Sequence, residues 1–444
     1  MSPQVKLQIL TAVVFGLTYL YLIVRNKYMA TALWVGVGVL AVAPPLLGLG
    51  PIVTLTSPFQ LDPQGGWAAV NWNVIGIMAG TLLLAGVFIH SGVPVVLSDW
   101  LIDRSPNVCW AMLGVCFISS FISIFAANVA TVLIVAPIAV ELARKLKASP
   151  APFLIGIAIC SNLQGTATLI GDPPSMILAA AYKMNFNHFF WYRGRPGIFF
   201  AVQVGALAGF AVLWVIFRKF RAPVAQIPVP KPKSWLPTVL MCAMVAALAA
   251  GSLVDPNFLW FGGTVCLGCG LLSIAWLWRH DKESAKSIVT DYDWSSTFFL
   301  IGVFMMVYAM VKTGIVELAA TWIAALTGDS LPLAFIIVVC ASVLLSAFVD
   351  NIPYIAVMLP LVMRLSAGAG EGPKGMVLAY GLLIGSCLGG NITPIGASAN
   401  VVAYGMLRRM GEKTDFWDFV KIGLPFTLAA TAGASLFVWL VCAF

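Results

Sequence analysis

Charge is what this chain has least of. Only 9% of its 444 residues are Asp, Glu, Lys or Arg, against 61% hydrophobic. A soluble domain exposes far more charge, about a quarter of its residues, so that class is excluded. The apolar residues run continuously rather than alternating, which excludes a membrane β-barrel. No Walker-type phosphate loop occurs, so direct use of ATP is not expected, and no cofactor is implied. Long polar stretches that would form a soluble domain are missing, which leaves a receptor or purely structural role without support. Met1–Lys6 is too short and too weakly basic for the start of a cleavable signal, so Val5–Val24 reads as a retained span.

Apolar runs of membrane-spanning length recur instead: Val5–Val24, Met29–Leu49, Val74–Leu97, Ile198–Phe217, Val239–Val254, Phe258–Trp278, Ser295–Val311 and Leu424–Phe444. Each suits a helix crossing hydrocarbon. The net charge of +8 sits in short loops, where it marks a cytoplasmic side and requires no nucleic-acid partner. The nine cysteines are scattered through apolar segments and read as small buried hydrophobes. Cys266 and Cys269 form a C-x-x-C inside "TVCLGCGLL", weak grounds for metal or redox chemistry.

The chain contains itself twice. Trp72 of "WNVIGIMAG" answers Trp294 of "WSSTFFLIG", "HSG" at 90–92 answers "KTG" at 312–314, and Trp100 answers Trp322. "FAANVATVLIVAP" (125–137) aligns with "FVDNIPYIAVMLP" (348–360), and "GTATLIGDPPS" (165–175) with "GNITPIGASAN" (390–400). The offset drifts only from 222 to 225 residues. Such order indicates a duplication. The first repeat is 1–217 and the second 237–444, joined by the basic, proline-rich linker 218–236.

Loop charge sets the topology. Arg218, Lys219, Arg221, Lys231 and Lys233 place the linker in the cytoplasm, with Arg25, Lys27, Arg144, Lys145 and Lys147 on the same side; the loop 50–71 has no Lys or Arg and lies outside. Five crossings per repeat then leave the halves inverted, a recurring plan in secondary transporters. Asn107–Lys147 is long enough for two helices whose ends want the same face, so it reads as a re-entrant hairpin with its tip at 127–128. Pro332–Arg364 is its counterpart, with a tip at 350–353.

After each hairpin comes a stretch no lipid-facing helix tolerates: 163–174 with Gly165, Gly171, Pro173 and Pro174, and 389–399 with Gly389, Gly390, Pro394 and Gly396. Broken backbone at membrane depth survives only against protein or a wet cavity. The two tips and two breaks therefore converge on a polar chamber. Asn128 and Asn351 begin the returning hairpin helices, where Asn is a favoured N-cap and its amide can both donate and accept. Thr131, Gly165, Thr166, Thr168, Gly390, Asn391, Thr393, Ser398 and Asn400 complete the lining. Asp172 and Asp350 are the sharpest signal. A carboxylate at helix centre costs about 2.5–3.5 kcal/mol on insertion, so it is kept for a purpose or paired. Burial favours the neutral carboxyl, which suits a group that takes up and releases protons. The acids do not match across the repeat: Ala127 aligns with Asp350 and Ala397 with Asp172. His90 and Lys312 match and read as side chains snorkelling to the interface.

At these motifs the chain resembles the ion transporter superfamily, which includes ArsB-type arsenite permeases, the pigment-cell P protein, NhaD-type sodium/proton antiporters and dicarboxylate carriers. "GTATLIGDPPS", "DNIPYIAVMLP" and "GGNITPIGASANVVAYGM" are most similar to the ArsB/P-protein branch; the dicarboxylate branch would show Ser-Asn-Thr at the tips. The resemblance implies an all-α elevator-type fold, a scaffold plus a transport domain of hairpins and broken helices, in a dimer within a bacterial inner membrane. It implies solute binding at Asn128, Thr131, Gly165–Asp172, Asp350, Asn351 and Gly390–Asn400. Some relatives carry an acid where this chain has Ala127, which disfavours a two-carboxylate sodium site. A lining of Asn, Thr and Ser with titrating Asp350 and Asp172 suits a neutral trihydroxy metalloid. The expected activity is proton-coupled efflux of arsenite or antimonite, with an ATPase partner left open. A sodium/proton antiporter and an anion permease are the same-class alternatives. An intramembrane aspartyl protease built on Asp172 and Asp350 is the remote one, since it leaves the inverted repeats unexplained.

Overall fold

In hydrocarbon a backbone can satisfy itself only within a helix or a closed barrel, so the apolar runs become helices. The computed structural model describes residues 2–24, 28–60, 69–145, 149–223, 231–319, 321, 330–367, 374–412 and 414–443. Arg25, Lys27, Lys147, Trp322, residues 61–68 of the loop 50–71 and residues 224–230 of the linker lie outside the described residues.

The first repeat contributes α1 (Pro3–Val24), α2 (Met29–Leu46), α3 (Trp72–His90), α4 (Val93–Asp103), α5 (Val108–Ser123), α6 (Asn128–Lys145), α7 (Ala151–Gly165), α8 (Pro173–Tyr182) and α9 (Ile198–Phe217). The second contributes α10 (Leu236–Gly251), α11 (Phe261–His280), α12 (Lys282–Thr290), α13 (Trp294–Thr313), α14 (Leu331–Ser346), α15 (Asn351–Ala367), α16 (Lys374–Gly389), α17 (Ser398–Arg409) and α18 (Phe416–Cys442). Helices α5–α6 and α14–α15 are the two hairpins; α7–α8 and α16–α17 are the two broken helices. Among the described residues, eight helical segments are long and apolar enough to span a membrane.

Two details depart from the run-by-run reading. The run Val74–Leu97 is not one span: the chain turns at Gly92 (φ 74°) and restarts as α4, with Pro94 in its first turn. Gly314 (φ 79°) makes the same turn after α13, which explains the matched "HSG" and "KTG". Outside the helices, β1 (Trp191–Tyr192) pairs antiparallel with β2 (Arg195–Pro196) across a turn at Arg193 and Gly194, both at positive φ.

The helices pack as two groups. In one, α3 crosses α11, α2 lies on α13 and α1 touches both α2 and α13. The α3–α11 crossing is backbone against backbone: a Cβ on Gly80 would sit 2.1 Å from the Cys266 carbonyl, and one on Gly270 2.6 Å from the Gly80 carbonyl. Small residues permit such contact where the hydrophobic effect gives helices no reason to associate. Cys266 of the C-x-x-C is buried in that crossing. The other group holds both hairpins and both broken helices, with α5 on α7, α14 on α16, α9 on α18, and α17 against α6 and α7. The groups are tied on one face by the Asn187 amide donating to the Ala249 carbonyl at 2.9 Å and the Asn185 amide to Pro256 at 3.3 Å. On the opposite face α12 is capped by Asp281 and held near α3, with His90 Nε2 3.4 Å from the Asp281 carboxylate. Lys312 donates to the carbonyls of Pro51 (3.3 Å) and Ile52 (3.0 Å), well away from the breaks.

Candidate functional site

Four helices, α6, α8, α15 and α17, start where the tips and breaks meet. Their N-cap residues are Ala127, Asp172, Asp350 and Ala397. Each presents free N–H groups and a partial positive charge. The asparagines therefore stand one position inside the helices, not at the caps. Asn128 Oδ1 accepts from Ser123 Oγ at 2.7 Å, and Asn351 Nδ2 donates to Asp172 Oδ2 at 3.2 Å. The cap bond at the second tip comes from Asp350, whose Oδ1 accepts from the Ile352 N–H at 3.1 Å. Its Oδ2 accepts from Ser398 Oγ at 2.9 Å, so each carboxylate ties a hairpin tip to a break. Asp172 makes that tie across the repeats, and Asp350 within its own.

The same joinery holds both breaks. Thr168 Oγ1 donates to the Ile124 carbonyl at 2.6 Å, and Thr393 Oγ1 to that of Ala347; these carbonyls end α5 and α14. Ser123 donates to the Ser161 carbonyl at 2.8 Å, and Ser346 to that of Ser386 at 2.5 Å. Gly171 and Gly396 sit where any Cβ collides: 2.4 Å from the Gly165 carbonyl oxygen and 2.6 Å from that of Gly390. The break is thus folded against its own start, a geometry that needs glycine at both points.

A cavity of about 370 Å³ begins at this junction. Asn128, Asp172, Asn351 and Ser398 line it, with Ala127, Gly171 and Ala397. Its opposite wall is α3, from Met78 to Ile89, and its mouth lies beside α12, at Ser287, Asp291 and Asp293. Among the described lining residues are three carboxylates and no Lys, Arg or His. Asp350 is half-buried behind Ser398 and reaches the cavity through it. Thr131, Gly165, Thr166, Thr168, Gly390, Asn391, Thr393 and Asn400 are buried around the junction but do not form the cavity wall. Thr166 and Thr168 bond backbone carbonyls, whereas the Thr131 hydroxyl is buried with no partner among the described residues.

Three contributors lie outside the residues that the motifs mark. Asn162, in α7, lines the cavity and donates from Nδ2 to Asn391 Oδ1 at 2.9 Å and Asn400 Oδ1 at 3.1 Å. Its signal was an amide inside an apolar helix, three residues before Gly165. Asp291 and Asp293 lie in the α12–α13 connection, and nothing local marks that connection as facing the breaks.

Paired hairpins, broken helices and a cavity at their junction define a membrane transporter. The profile of the CitMHS family, described as citrate transporters, matches residues 19–385, and the chain belongs to that family. An uncharacterized transporter of Mycobacterium bovis is 30% identical over 88% of this chain and 90% of its own length. One from Synechocystis is 28% identical over 74% and 77%. The human P protein is 24% identical, covering 96% of this chain and 58% of its own length. The crystal structure of the Alcanivorax borkumensis YdaH transporter, reported to have an unusual topology, aligns over 99% of this chain and 98% of its own, with a TM-score of 0.59 at 14% identity.

Proposed function

We propose that this transporter exports arsenite or antimonite, as the uncharged trihydroxy acid, in exchange for protons carried by Asp350 and shared with Asp172. The observation that carries the reading is the cavity wall: amides, hydroxyls and carboxylates, without a cationic side chain among the described residues. The family description names citrate. A free citrate brings several negative charges towards Asp172. Two like charges at 4 Å repel by about 4 kcal/mol at an effective dielectric constant of 20. A helix N-terminus returns about 0.3–1 kcal/mol, so four of them do not offset a trianion beside that carboxylate whenever it is ionised. A neutral polyhydroxy solute meets no such cost and finds acceptors at Asp172 and Asn128.

In this reading the 218–236 linker faces the cytoplasm of a bacterial inner membrane, and the cavity, which opens beside α12, faces inward. A proton arriving on Asp350 alters its bond to Ser398, and one on Asp172 alters its bond to Asn351. Either event loosens a tie between tip and break. The group holding the hairpins then moves against the group built on α3 and α11.

Everted vesicles loaded by a pH gradient test this. Arsenite uptake is expected to follow the gradient and to fall to background in Asp350→Asn; undiminished gradient-driven uptake in that variant overturns the proton role. The carboxylates at the mouth favour one second reading, sodium/proton exchange. Sodium-induced dequenching of a pH probe, without arsenite uptake, would establish it.

A further inference from the structure

We propose that Asn162 is a fixed hydrogen-bond acceptor in the cavity wall that selects solutes bearing O–H or N–H donors or positive charge, and rejects carboxylate anions. The inference rests on the cavity being the transport site, and it names the class of solute that site accepts.

The orientation of the Asn162 amide follows from its neighbours. Asn391 Nδ2 donates to the Ile159 carbonyl at 3.1 Å. Asn400 Nδ2 donates to the carbonyls of Gly390 at 2.9 Å and Thr393 at 3.0 Å. Carbonyls only accept, so neither amide can turn over without setting oxygen against oxygen. Both must offer Oδ1 to Asn162, and Asn162 must answer with Nδ2, as it does at 2.9 and 3.1 Å. Its two N–H groups are then committed. Flipping Asn162 would lose both bonds and leave three oxygens facing one another.

What remains is Asn162 Oδ1, which accepts no hydrogen bond among the described residues and belongs to a side chain of the cavity wall. Asp172 shares that wall. The nearby donor, Asn351 Nδ2, is already given to Asp172. The Asn128 oxygen is likewise an acceptor, held by Ser123. The side-chain groups at the inner end of the cavity are therefore rich in acceptors, and the donors beside them are the N–H groups of the helix N-termini. A carboxylate can take the N–H groups of a helix N-terminus but brings no donor, so it leaves Asn162 Oδ1 and Asp172 unpaired; a polyhydroxy acid, an ammonium ion or a metal cation fits both. Because the three amides join the first repeat to the second, the same network that welds the halves sets the polarity of the wall.

The test uses purified full-length protein in proteoliposomes with four solutes: arsenite, methylammonium, succinate, and tricarballylate, a tricarboxylate with no hydroxyl. For the wild type, at least one donor-bearing solute is expected to be carried ten times faster than either carboxylate. In Asn162→Leu the KM for that solute rises at least tenfold while the carboxylates gain or stay unchanged. Asn162→Ser, which keeps a donor and an acceptor, retains most of the preference. Should the Leu variant fail to fold, thermal stabilisation of the wild type decides: donor-bearing solutes raise the melting temperature and carboxylates do not. Carboxylate transport or stabilisation within threefold of the donor solutes overturns the inference, as does an unchanged preference in Asn162→Leu. Methylammonium carried with Asn162 dependence, but no arsenite, leaves this inference standing and removes the metalloid reading. No response to any solute removes both.

Discussion

The two repeats build the same frame and put their charge in opposite places. In the first, the hairpin helix α6 starts from Ala127 and the break helix α8 from Asp172. In the second, α15 starts from Asp350 and α17 from Ala397. The tips, the threonine ties, the serine ties and the glycine folds correspond one to one. Frame and function have therefore separated. The frame answers to backbone satisfaction, which is the same problem twice, so it stayed symmetric. In the proposed function the acids answer to one solute and one proton path, which need not be duplicated. Two further carboxylates in matching positions would crowd four negative charges around one chamber, and each close pair costs about 4 kcal/mol at 4 Å in an environment of dielectric constant 20.

That contrast can be broken by moving charge. Asp172→Ala is expected to reduce vesicle transport to background, the largest effect. Adding Ala397→Asp to it should recover part of the loss, because the duplicated frame would set residue 397 against Asn128 as Asp172 is set against Asn351. A double variant no better than the single one would show that the frames are not interchangeable. Symmetric damage comes next: Gly171→Ala and Gly396→Ala should each destabilise the protein by about 1–3 kcal/mol through overpacking. Gly268→Ala, where a Cβ would meet nothing within 4 Å, should not. Thermal unfolding in detergent measures all three. Smaller still, Thr168→Val and Thr393→Val should cost about 1–2 kcal/mol each, and similar amounts, since each strands a buried carbonyl.

The smallest effect lies outside the membrane, at His188. Burial lowers its pKa from the ordinary value near 6.5, and its neutral Nδ1 accepts from the Asn185 N–H at 3.1 Å. The unfolded chain therefore takes up a proton that the folded turn resists. Stability should fall as pH drops through 6.5 towards the lower folded value. His188→Gln should flatten that slope in pH-dependent melting curves.

Much of this was written in the chain. Hairpin tips and breaks show themselves locally, because glycine and proline inside a lipid-length apolar run have no other stable use, and the repeat locates each pair twice. The turn at Gly92 was hidden because an apolar run continues through it to Leu97. Residue type alone points to the asparagines as caps, whereas the structure gives the cap positions to the residues before them. That Asp172 bonds Asn351, or that Asn162 orients against Asn391 and Asn400, could not be read. Those partners are 179, 229 and 238 residues away and depend on how the halves dock. The α12 helix is not legible locally because its polar, amphipathic sequence resembles a loop between spans.

The decisive contact is the first repeat's break touching the second repeat's tip. Disulfide mapping in native membranes measures this with Asp172→Cys and Asn351→Cys in an otherwise cysteine-free chain carrying a protease site in the 218–236 linker. Oxidation is expected to keep the two halves on one band after cleavage, and reduction to release them. Halves that separate under oxidation as freely as without the added cysteines would contradict that contact.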